Sequence, residues 1–326
     1  MKRGNDPNLD TLYTTFIDAS HILHHHGVVD AYGHISVRNP QNPSTFFMSQ
    51  NLAPALISSR ADVIEYNVSD ASPVDPNAKP GYSERCIHSE ILKRYPGVTS
   101  VILSHCADVL PYCVSSVPLK PTIHMSGFLS SPVPVWDISP HYTPEDRRDL
   151  LVRNTRLGGS LASVFSTDHA VTTLANIDSS LSSPSAIDPN VHPLPSHTTL
   201  LMRGHGFTTA SASVRGAVFQ AVYTAAAART QTSALLIQNA FNIGDMIGRG
   251  AVWGQSKKAA RSGWEDEEEE DSGLLYLNED EREGTWTMNK DTVDRSWGLW
   301  VQEVRTHGLY RNEEVAQTED PDFVRV

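Results

Sequence analysis

The sequence VTSVILSH, at residues 98–105, has the pattern of a buried strand that ends at a histidine. Residues 99–103 are almost continuously apolar or β-branched, which is typical of a strand that is covered on both faces. A helix is predicted directly before this strand, over residues 83–94, and Pro96 and Gly97 end it. A buried strand that follows a helix favours a layered α/β fold.

Helices and short strands continue to alternate on both sides of this stretch. By the spacing of their apolar residues, further helices are predicted over residues 9–26, 146–165 and 213–238. Strands are predicted at residues 34–38, 45–49, 62–66 and 198–202. The Ser- and Pro-rich residues 167–196 are predicted to form a long loop. This order predicts a three-layer α/β/α sandwich with a mixed central sheet.

The chain of 326 residues divides into three parts by composition. Residues 9–250 carry the alternating pattern and are predicted to form one domain. Residues 265–271 are all acidic, and the surrounding residues 251–284 are predicted to be a solvated linker. Residues 285–326 contain tryptophans at wide helical spacing, so we expect a C-terminal helical extension that docks onto the body.

Composition and charge argue against several classes of protein. No segment approaches the ~20 apolar residues that a membrane span needs, and the start of the chain is too polar for a secretory signal. The three cysteines form no CxxC pair, which suits a reducing compartment. A net charge of −12 argues against nucleic acid or an anionic membrane as a partner. We therefore expect a cytoplasmic protein that binds neither of them.

Three side chains stand where a fold of this kind places its chemistry. Glu84 opens a predicted helix, where exposed backbone N–H groups favour a carboxylate. His105 ends one predicted strand, and His205, between two glycines, ends another. Strand ends in α/β folds project into a common cleft, so the two imidazoles could converge on one ion beside a carboxylate that moves a proton. The alternative is that each histidine only caps its strand through a backbone hydrogen bond.

Four short motifs, in order along the chain, resemble those of the class II aldolase/adducin family, which includes fuculose-phosphate aldolase and ribulose-phosphate epimerase. They are GHISVR at residues 33–38, SE at 83–84, VILSH at 101–105 and RGHGF at 203–207. The resemblance implies a class II aldolase-like fold, a homotetramer and a small-molecule substrate. It implies that Glu84 is the catalytic acid/base and that His105 and His205 bind a divalent metal ion, with zinc as the first choice. The substrate-binding residues that it implies are His34, Ser36, Arg38 and Ser83.

Two departures from the family pattern bear on the cofactor and the substrate. The first histidine of the family's His-x-His is Leu103 here, and leucine has no donor atom, so a three-histidine metal site cannot form. His124 is the candidate substitute for this missing histidine if its loop folds over the cleft. In that position we expect it to bind the substrate. The asparagine of the sugar-phosphate turn is His34, and only Ser83 represents the usual serine pair. This incomplete phosphate-binding set predicts a substrate without phosphate.

The leading functional hypothesis is a carbon–carbon lyase of the aldolase type, which acts by retro-aldol cleavage or decarboxylation, or an isomerase. Both cleavages leave a negative charge on carbon. This charge must be delocalised onto an oxygen atom that the site stabilises. The expected substrate is a non-phosphorylated carbonyl or carboxylate metabolite of secondary metabolism. Two alternatives stay open. One is a non-catalytic, adducin-like scaffold, which Leu103 favours, and the other is a metal-free cyclase or isomerase that reuses the cleft.

Overall fold

The computed structural model describes residues 7–166, 194–248 and 273–315. The α-helices in these residues are α1 (Pro7–His25), α2 (Arg85–Arg94), α3 (Leu110–Val114), α4 (Thr155–Ser163), α5 (Val214–Gly248), α6 (Glu279–Lys290) and α7 (Val293–Thr306). The strands are β1 (His34–Arg38), β2 (Thr45–Ser49), β3 (Val63–Asn67), β4 (Ser100–Ser104), β5 (Val135–Trp136), β6 (Thr199–Met202) and β7 (Gly206–Ser211). Most predicted elements are therefore present, with ends that differ by one or two residues.

The strands form one sheet in the order β3-β2-β1-β4-β7-β6-β5. All neighbouring pairs are antiparallel except β5 and β6, which are parallel, so the prediction of a mixed sheet is confirmed. Strand β4, the core of the VTSVILSH stretch, lies between β1 and β7, and all of its residues are buried. His105 directly follows the last residue of β4, at the end of the sheet where this strand stops.

Helices cover both faces of this sheet, which confirms the three-layer prediction. The first face packs against α1, α5 and α7 through side chains that include Phe16, Phe219 and Trp297. The second face packs against α2 and α4 through side chains that include Ile87 and Leu161. Successive residues of β4 serve opposite layers, since Ile102 lies in the first core and Leu103 in the second. This burial on both faces explains the continuous apolar pattern of the strand.

The helix predicted over residues 146–165 is wrong over its first half. Helix α4 begins only at Thr155, and the Asn154 side chain caps it by accepting a hydrogen bond from the Leu157 N–H group. Residues 146–154 form a loop, which we call the 146–154 loop, and Leu150 has a φ of +66° in it. A leucine in this left-handed region cannot continue a right-handed helix. The backbone of the loop instead hydrogen-bonds the side chains of Glu84 and His205.

The C-terminal segment packs against the body, and its first helix begins earlier than the sequence indicates. Of the predicted linker, residues 251–272 lie outside the described residues, and α6 already begins at Glu279. Asn278 caps this helix by accepting a hydrogen bond from the Glu281 N–H group, so residues 279–284 of the predicted linker are helical. In α7, Trp300 belongs to the buried core on the first face of the sheet.

The other differences have local causes. Helix α5 continues to Gly248 rather than ending at residue 238. Strand β7 was not predicted, because its sequence GFTTAS lacks the apolar alternation that identifies a strand, although the strand is central in the sheet. The predicted loop at residues 167–196 lies outside the described residues except for its last three. Within the described ranges, no helix is both long and apolar enough to cross a membrane.

Candidate active site

The side chains of Glu84, His105 and His205 converge at the C-terminal end of strand β4. Glu84 directly precedes α2, His105 directly follows β4, and His205 lies in the turn between β6 and β7. The two histidine Nε2 atoms are 3.1 Å apart, and His205 Nε2 is 3.5 Å from Glu84 Oε2. One possible ligand atom from each residue lies within 4.8 Å of the other two. The structure thus brings together the three residues that the sequence singled out.

The turn that carries His205 depends on glycines. Gly204 has a φ of +67° and Gly206 a φ of +151°, and side chains other than hydrogen disfavour both conformations. A Cβ atom at Gly206 would lie 1.9 Å from the backbone oxygen of Ser104, at the end of β4. Because the turn approaches β4 so closely, His205 is held next to His105.

Hydrogen bonds from outside the cluster determine where the two imidazoles carry their protons. His205 Nδ1 lies 3.0 Å from the Leu150 carbonyl oxygen, which can only accept, so Nδ1 is the protonated nitrogen. His105 Nδ1 lies 3.2 Å from Asp30 Oδ1 and donates to this carboxylate. In the neutral rings, both Nε2 atoms therefore present lone pairs to each other and to Glu84. Only a positive charge between them, from a proton or a metal ion, makes this arrangement favourable.

The Glu84 carboxylate is buried and anchored on one side. Its Oε1 accepts a hydrogen bond of 3.0 Å from the Val152 N–H group, which leaves Oε2 facing the histidines. Burial by itself raises the pKa of Glu84, but the hydrogen bond and charge of His205 outweigh it, so the pKa lies below its ordinary value. Burial likewise lowers the pKa of His205, but Glu84 outweighs it and raises that pKa. The two shifts share one cause, because the Glu84 carboxylate stabilises the protonated form of His205 and the protonated imidazole stabilises the carboxylate.

The same three residues fit a divalent metal ion. The donors of a tetrahedral zinc ion, each bound at about 2.0–2.2 Å, lie roughly 3.3 Å from one another. Two of the three separations, 3.1 Å and 3.5 Å, are close to this value, and the third pair of donor atoms lies within 4.8 Å. Two imidazoles and one carboxylate are also an established zinc donor set. The loss of the histidine at position 103 therefore leaves three donors, with Glu84 as the third.

His34 lies behind this cluster in a chain of buried hydrogen bonds. Its Nδ1 is 2.8 Å from His88 Nε2, and His88 Nδ1 is 2.7 Å from Ser36 Oγ. In the β1–β4 register His34 stands directly opposite Leu103, and its ring contacts that of Tyr82 at a centroid distance of 4.5 Å. Burial lowers the pKa of His88 to about 3, and burial and the charge of His88 hold the pKa of His34 well below its ordinary value. Both rings are therefore neutral at neutral pH.

The neutral state of His88 has a measurable consequence for stability. Its pKa rises from about 3 in the fold to about 6.5 in the unfolded chain, so the unfolded state binds a proton first as the pH falls. We expect the free energy of unfolding to decrease below about pH 6.5 and this contribution to level off near pH 3. The slope contributed by one proton is about 1.4 kcal/mol per pH unit.

Urea unfolding of the parent and of His88→Gln between pH 7 and pH 4.5 measures this contribution. We expect a shallower pH dependence in His88→Gln, whereas His124→Gln, at an exposed position, should keep the parental one. Equal slopes in His88→Gln and the parent would contradict a neutral buried His88.

A cavity of about 360 Å³ opens beside Glu84 and His105. Its lining residues are Tyr32, Asn51, Gly81, Tyr82, Ser83, Glu84, His105 and Leu151. The two tyrosines and the leucine give it apolar and aromatic walls, and Asn51 and Ser83 add polar groups. None of these described lining residues is a lysine or an arginine. The cavity thus suits a small, partly aromatic molecule and supplies no counter-charge for a phosphate.

Of the five predicted substrate-binding residues, only Ser83 lines this cavity. His34 and Ser36 belong to the buried hydrogen-bond chain through His88, and the other two lie elsewhere. The Arg38 guanidinium donates to the backbone carbonyls of Val98, Leu92 and Pro43, so it holds the end of α2 and the following turn. His124 is exposed, and its carbonyl oxygen accepts a hydrogen bond of 2.6 Å from Asn289 of α6. Neither residue lines the cavity. Sequence motifs alone could not distinguish an arginine that binds carbonyl groups from one that binds a ligand.

Sequence reasoning also missed residues that serve the site, above all Asp30. Its Oδ1 accepts hydrogen bonds of 2.9 Å from the N–H groups of Tyr32 and Gly33 and also contacts His105. An aspartate three residues before a glycine is a signal for such a turn, but not for a partner 75 residues away. Leu150 and Val152 were missed because they contribute only backbone atoms.

Removal of the Asp30 carboxylate is expected to weaken metal binding. Groups that orient a ligating histidine typically contribute 10–100-fold to metal affinity, so we expect a loss of this order in Asp30→Ala. Competitive zinc titration of the purified protein measures it. The matched control is Asp75→Ala, because Asp75 accepts a similar backbone hydrogen bond from Asn77 in an exposed turn outside the site. An unchanged zinc affinity in Asp30→Ala would contradict this role.

Comparison with known proteins gives a consistent result. The model of the Class II Aldolase and Adducin N-terminal domain matches residues 14–232. The decarboxylase tropJ of Talaromyces stipitatus is 43% identical over 298 residues, which are 91% of this chain and 96% of that protein. The 3,4-dihydroxyphthalate decarboxylase of Arthrobacter keyseri is 24% identical over 209 residues, which are 63% of this chain and 71% of that protein.

Solved structures support the fold. The L-fuculose 1-phosphate aldolase of Glaciozyma antarctica aligns with a TM-score of 0.58 at 16% identity, over 93% of this chain and 92% of that one. An aldolase II superfamily protein of Pseudomonas syringae aligns with the same TM-score and identity, over 94% of this chain and 96% of that one. At this level of identity the likeness concerns the fold alone.

Proposed function

Because the chain belongs to the class II aldolase and adducin family, we propose that it is a decarboxylase that removes CO2 from a hydroxylated aromatic carboxylic acid. The observation that carries the proposal is the buried Glu84 carboxylate that faces two imidazole nitrogens at the wall of a small cavity. The two relatives named as decarboxylases support the reaction type, and the one named for dihydroxyphthalate supports an aromatic acid.

The cavity supports this class of substrate over a sugar phosphate. Tyr32 and Tyr82 provide aromatic surface for a planar ring, and Leu151 adds an apolar contact. Asn51 and Ser83 add polar groups to the lining, and we propose that they hydrogen-bond the ring hydroxyl groups. The absence of lysine and arginine from the described lining agrees with a substrate that carries no phosphate.

The reaction needs a proton carrier next to an oxygen that can hold negative charge. A ring hydroxyl next to the carboxylate gives up its proton, and the ring carbon that bears the carboxylate takes one up, which gives a β-keto acid. The carbon–carbon bond to the deprotonated carboxylate then breaks, CO2 leaves, and the electron pair moves through the ring to the oxygen, which takes up a proton from water. Glu84 Oε2 is proposed to accept the hydroxyl proton and to deliver it to the ring carbon. Its anchored Oε1 keeps Oε2 in position.

A divalent cation, zinc by first choice, would be held by His105 and His205 beside the Glu84 carboxylate and would supply positive charge next to the substrate oxygens. Asp30 and the Leu150 carbonyl would keep both imidazoles in the tautomer that binds it.

The deciding experiment follows CO2 release from a panel of hydroxybenzoic and dihydroxyphthalic acids, before and after chelation and re-addition of zinc. In D2O, a product with deuterium at the vacated ring carbon would identify proton delivery to that carbon. CO2 release that continues after chelation would contradict the metal dependence and favour a metal-free enzyme. A protein that binds the acids but releases no CO2 would favour the non-catalytic alternative.

We further propose that the protein acts in secondary metabolism, is cytoplasmic and assembles as a homotetramer. An exposed apolar face on the second half of α5 supports self-association. Its members, all at least half exposed, are Leu236, Ile237, Phe241 and Ile243. Light scattering of the purified protein should give four times the chain mass, and a monomer would contradict the assembly.

A further inference from the structure

A second cavity, of about 400 Å³, lies at the other end of strand β7 from the candidate active site. It reaches Ser211, the last residue of this strand, whereas His205 precedes the first. Helices α5 and α6 form two of its walls, through Gln220 and Trp286. No step of the proposed reaction uses it.

One residue that lines the cavity carries a buried polar atom without a partner. Gln220 lines the cavity and is only 2% exposed, and its Oε1 atom has no hydrogen-bond partner among the described residues. Gln231, three turns later on the same helix, is equally buried but fully used. Its Oε1 accepts from the Lys120 N–H group, and its Nε2 donates to the Pro118 oxygen. An unpaired buried acceptor is unfavourable, so the cavity suits a ligand that brings an N–H or O–H donor.

Aromatic rings form the wall beside this acceptor. The rings of Phe128 and Trp286 meet edge to face at a centroid distance of 5.8 Å, and both residues line the cavity. Phe128 is buried and in turn contacts Phe219 of α5. Such a wall favours a flat ring over a flexible aliphatic chain.

The charges in the cavity disfavour an anion. Arg282 is already engaged, since it is ion-paired with Glu279 and its Nε donates a hydrogen bond of 2.8 Å to the Leu129 oxygen. Glu283 adds a second carboxylate to the lining. With two carboxylates and one guanidinium, the lining is net negative and repels a carboxylate on the ligand.

We propose that this cavity is a second binding site for an uncharged hydroxylated aromatic molecule. Its hydroxyl group donates to Gln220 Oε1, which a rotation of the side-chain amide brings to the cavity surface, and its ring packs on Phe128 and Trp286. The choice of ligand rests on the proposed function, because a hydroxybenzoate that loses CO2 becomes an uncharged phenol of this kind. The site therefore binds the product class at a distance from the reacting groups and disfavours the carboxylated substrate.

Resorcinol and 2,4-dihydroxybenzoate are the matched probes, because they differ only in the carboxylate. Titration of the full-length protein, followed by tryptophan fluorescence and calorimetry, should show resorcinol binding that 2,4-dihydroxybenzoate does not displace. Gln220→Leu should weaken the resorcinol affinity at least 10-fold and raise the melting temperature of the ligand-free protein, because it removes the unpaired acceptor. The control, Gln231→Leu, should lower the melting temperature and leave the resorcinol affinity unchanged. Trp286→Phe should abolish the fluorescence change.

Two results would overturn the second site. One is an unchanged resorcinol affinity in Gln220→Leu, and the other is displacement of resorcinol by equal concentrations of 2,4-dihydroxybenzoate. The titration does not depend on turnover, so it separates this inference from the proposed function. If the protein releases CO2 but resorcinol binding does not depend on Gln220, the second site alone is contradicted. If resorcinol binding depends on Gln220 but the protein never releases CO2, the second site is supported and the proposed function is contradicted.

Discussion

Glu84→Gln is expected to lower the rate of CO2 release by about 10²-fold or more while the fold remains in place. The amide oxygen of glutamine can still accept the hydrogen bond from the Val152 N–H group, so the side chain keeps its position. Its NH2 group then faces the lone pair of His205 Nε2, where it can neither carry a transferable proton nor bind a cation. Steady-state turnover and zinc titration of the same preparation measure both losses.

The control for this variant is Glu90→Gln, on the same helix. Glu90 pairs with Lys93 at 3.3 Å and does not line the cavity, so its variant should retain parental turnover. A Glu84 carboxylate with a purely structural role would give a different result. The melting temperature of Glu84→Gln would fall while turnover stayed at the parental rate, and the catalytic assignment would then have to be abandoned.

Gly206→Ala should damage both the stability and the metal site. The new Cβ atom would lie 1.9 Å from the Ser104 backbone oxygen, at a φ of +151° that alanine rarely adopts. Backbone strain and overpacking each contribute about 1–3 kcal/mol, so we expect a loss of about 2 kcal/mol or more in the free energy of unfolding. Relief of the clash moves the His205 turn away from β4, so zinc affinity should fall as well.

Urea unfolding and zinc titration test this variant against Gly298→Ala. A Cβ atom at Gly298, inside α7, meets no other atom within 4 Å. Alanine there should be neutral or stabilising by up to about 1 kcal/mol, because it reduces the freedom of the unfolded chain. If Gly206→Ala were as stable as the parent and bound zinc equally well, the close approach of the turn to β4 would not be what positions His205.

Much of the fold was predictable because its signals are local. The continuous apolar run before His105 identified the central strand, and helical spacing identified α1, α2 and α5. The four motifs identified the family, and the family model and the 43% identical relative confirm it. The wrong half-helix at residues 146–154 had a pattern compatible with a helix, but hydrogen bonds to Glu84 and His205 favour a loop there.

The sequence by itself determined which residues meet at the site, because Glu84, His105 and His205 each stand at the end of a recognisable element. Only the tertiary structure decided what these residues can do. The protons of His105 and His205 are set by Asp30, 75 residues away, and by the Leu150 carbonyl, 55 residues away. The apolar periodicity of a strand or helix reflects which residues two to four positions apart share a face. These hydrogen bonds instead depend on how the whole chain folds.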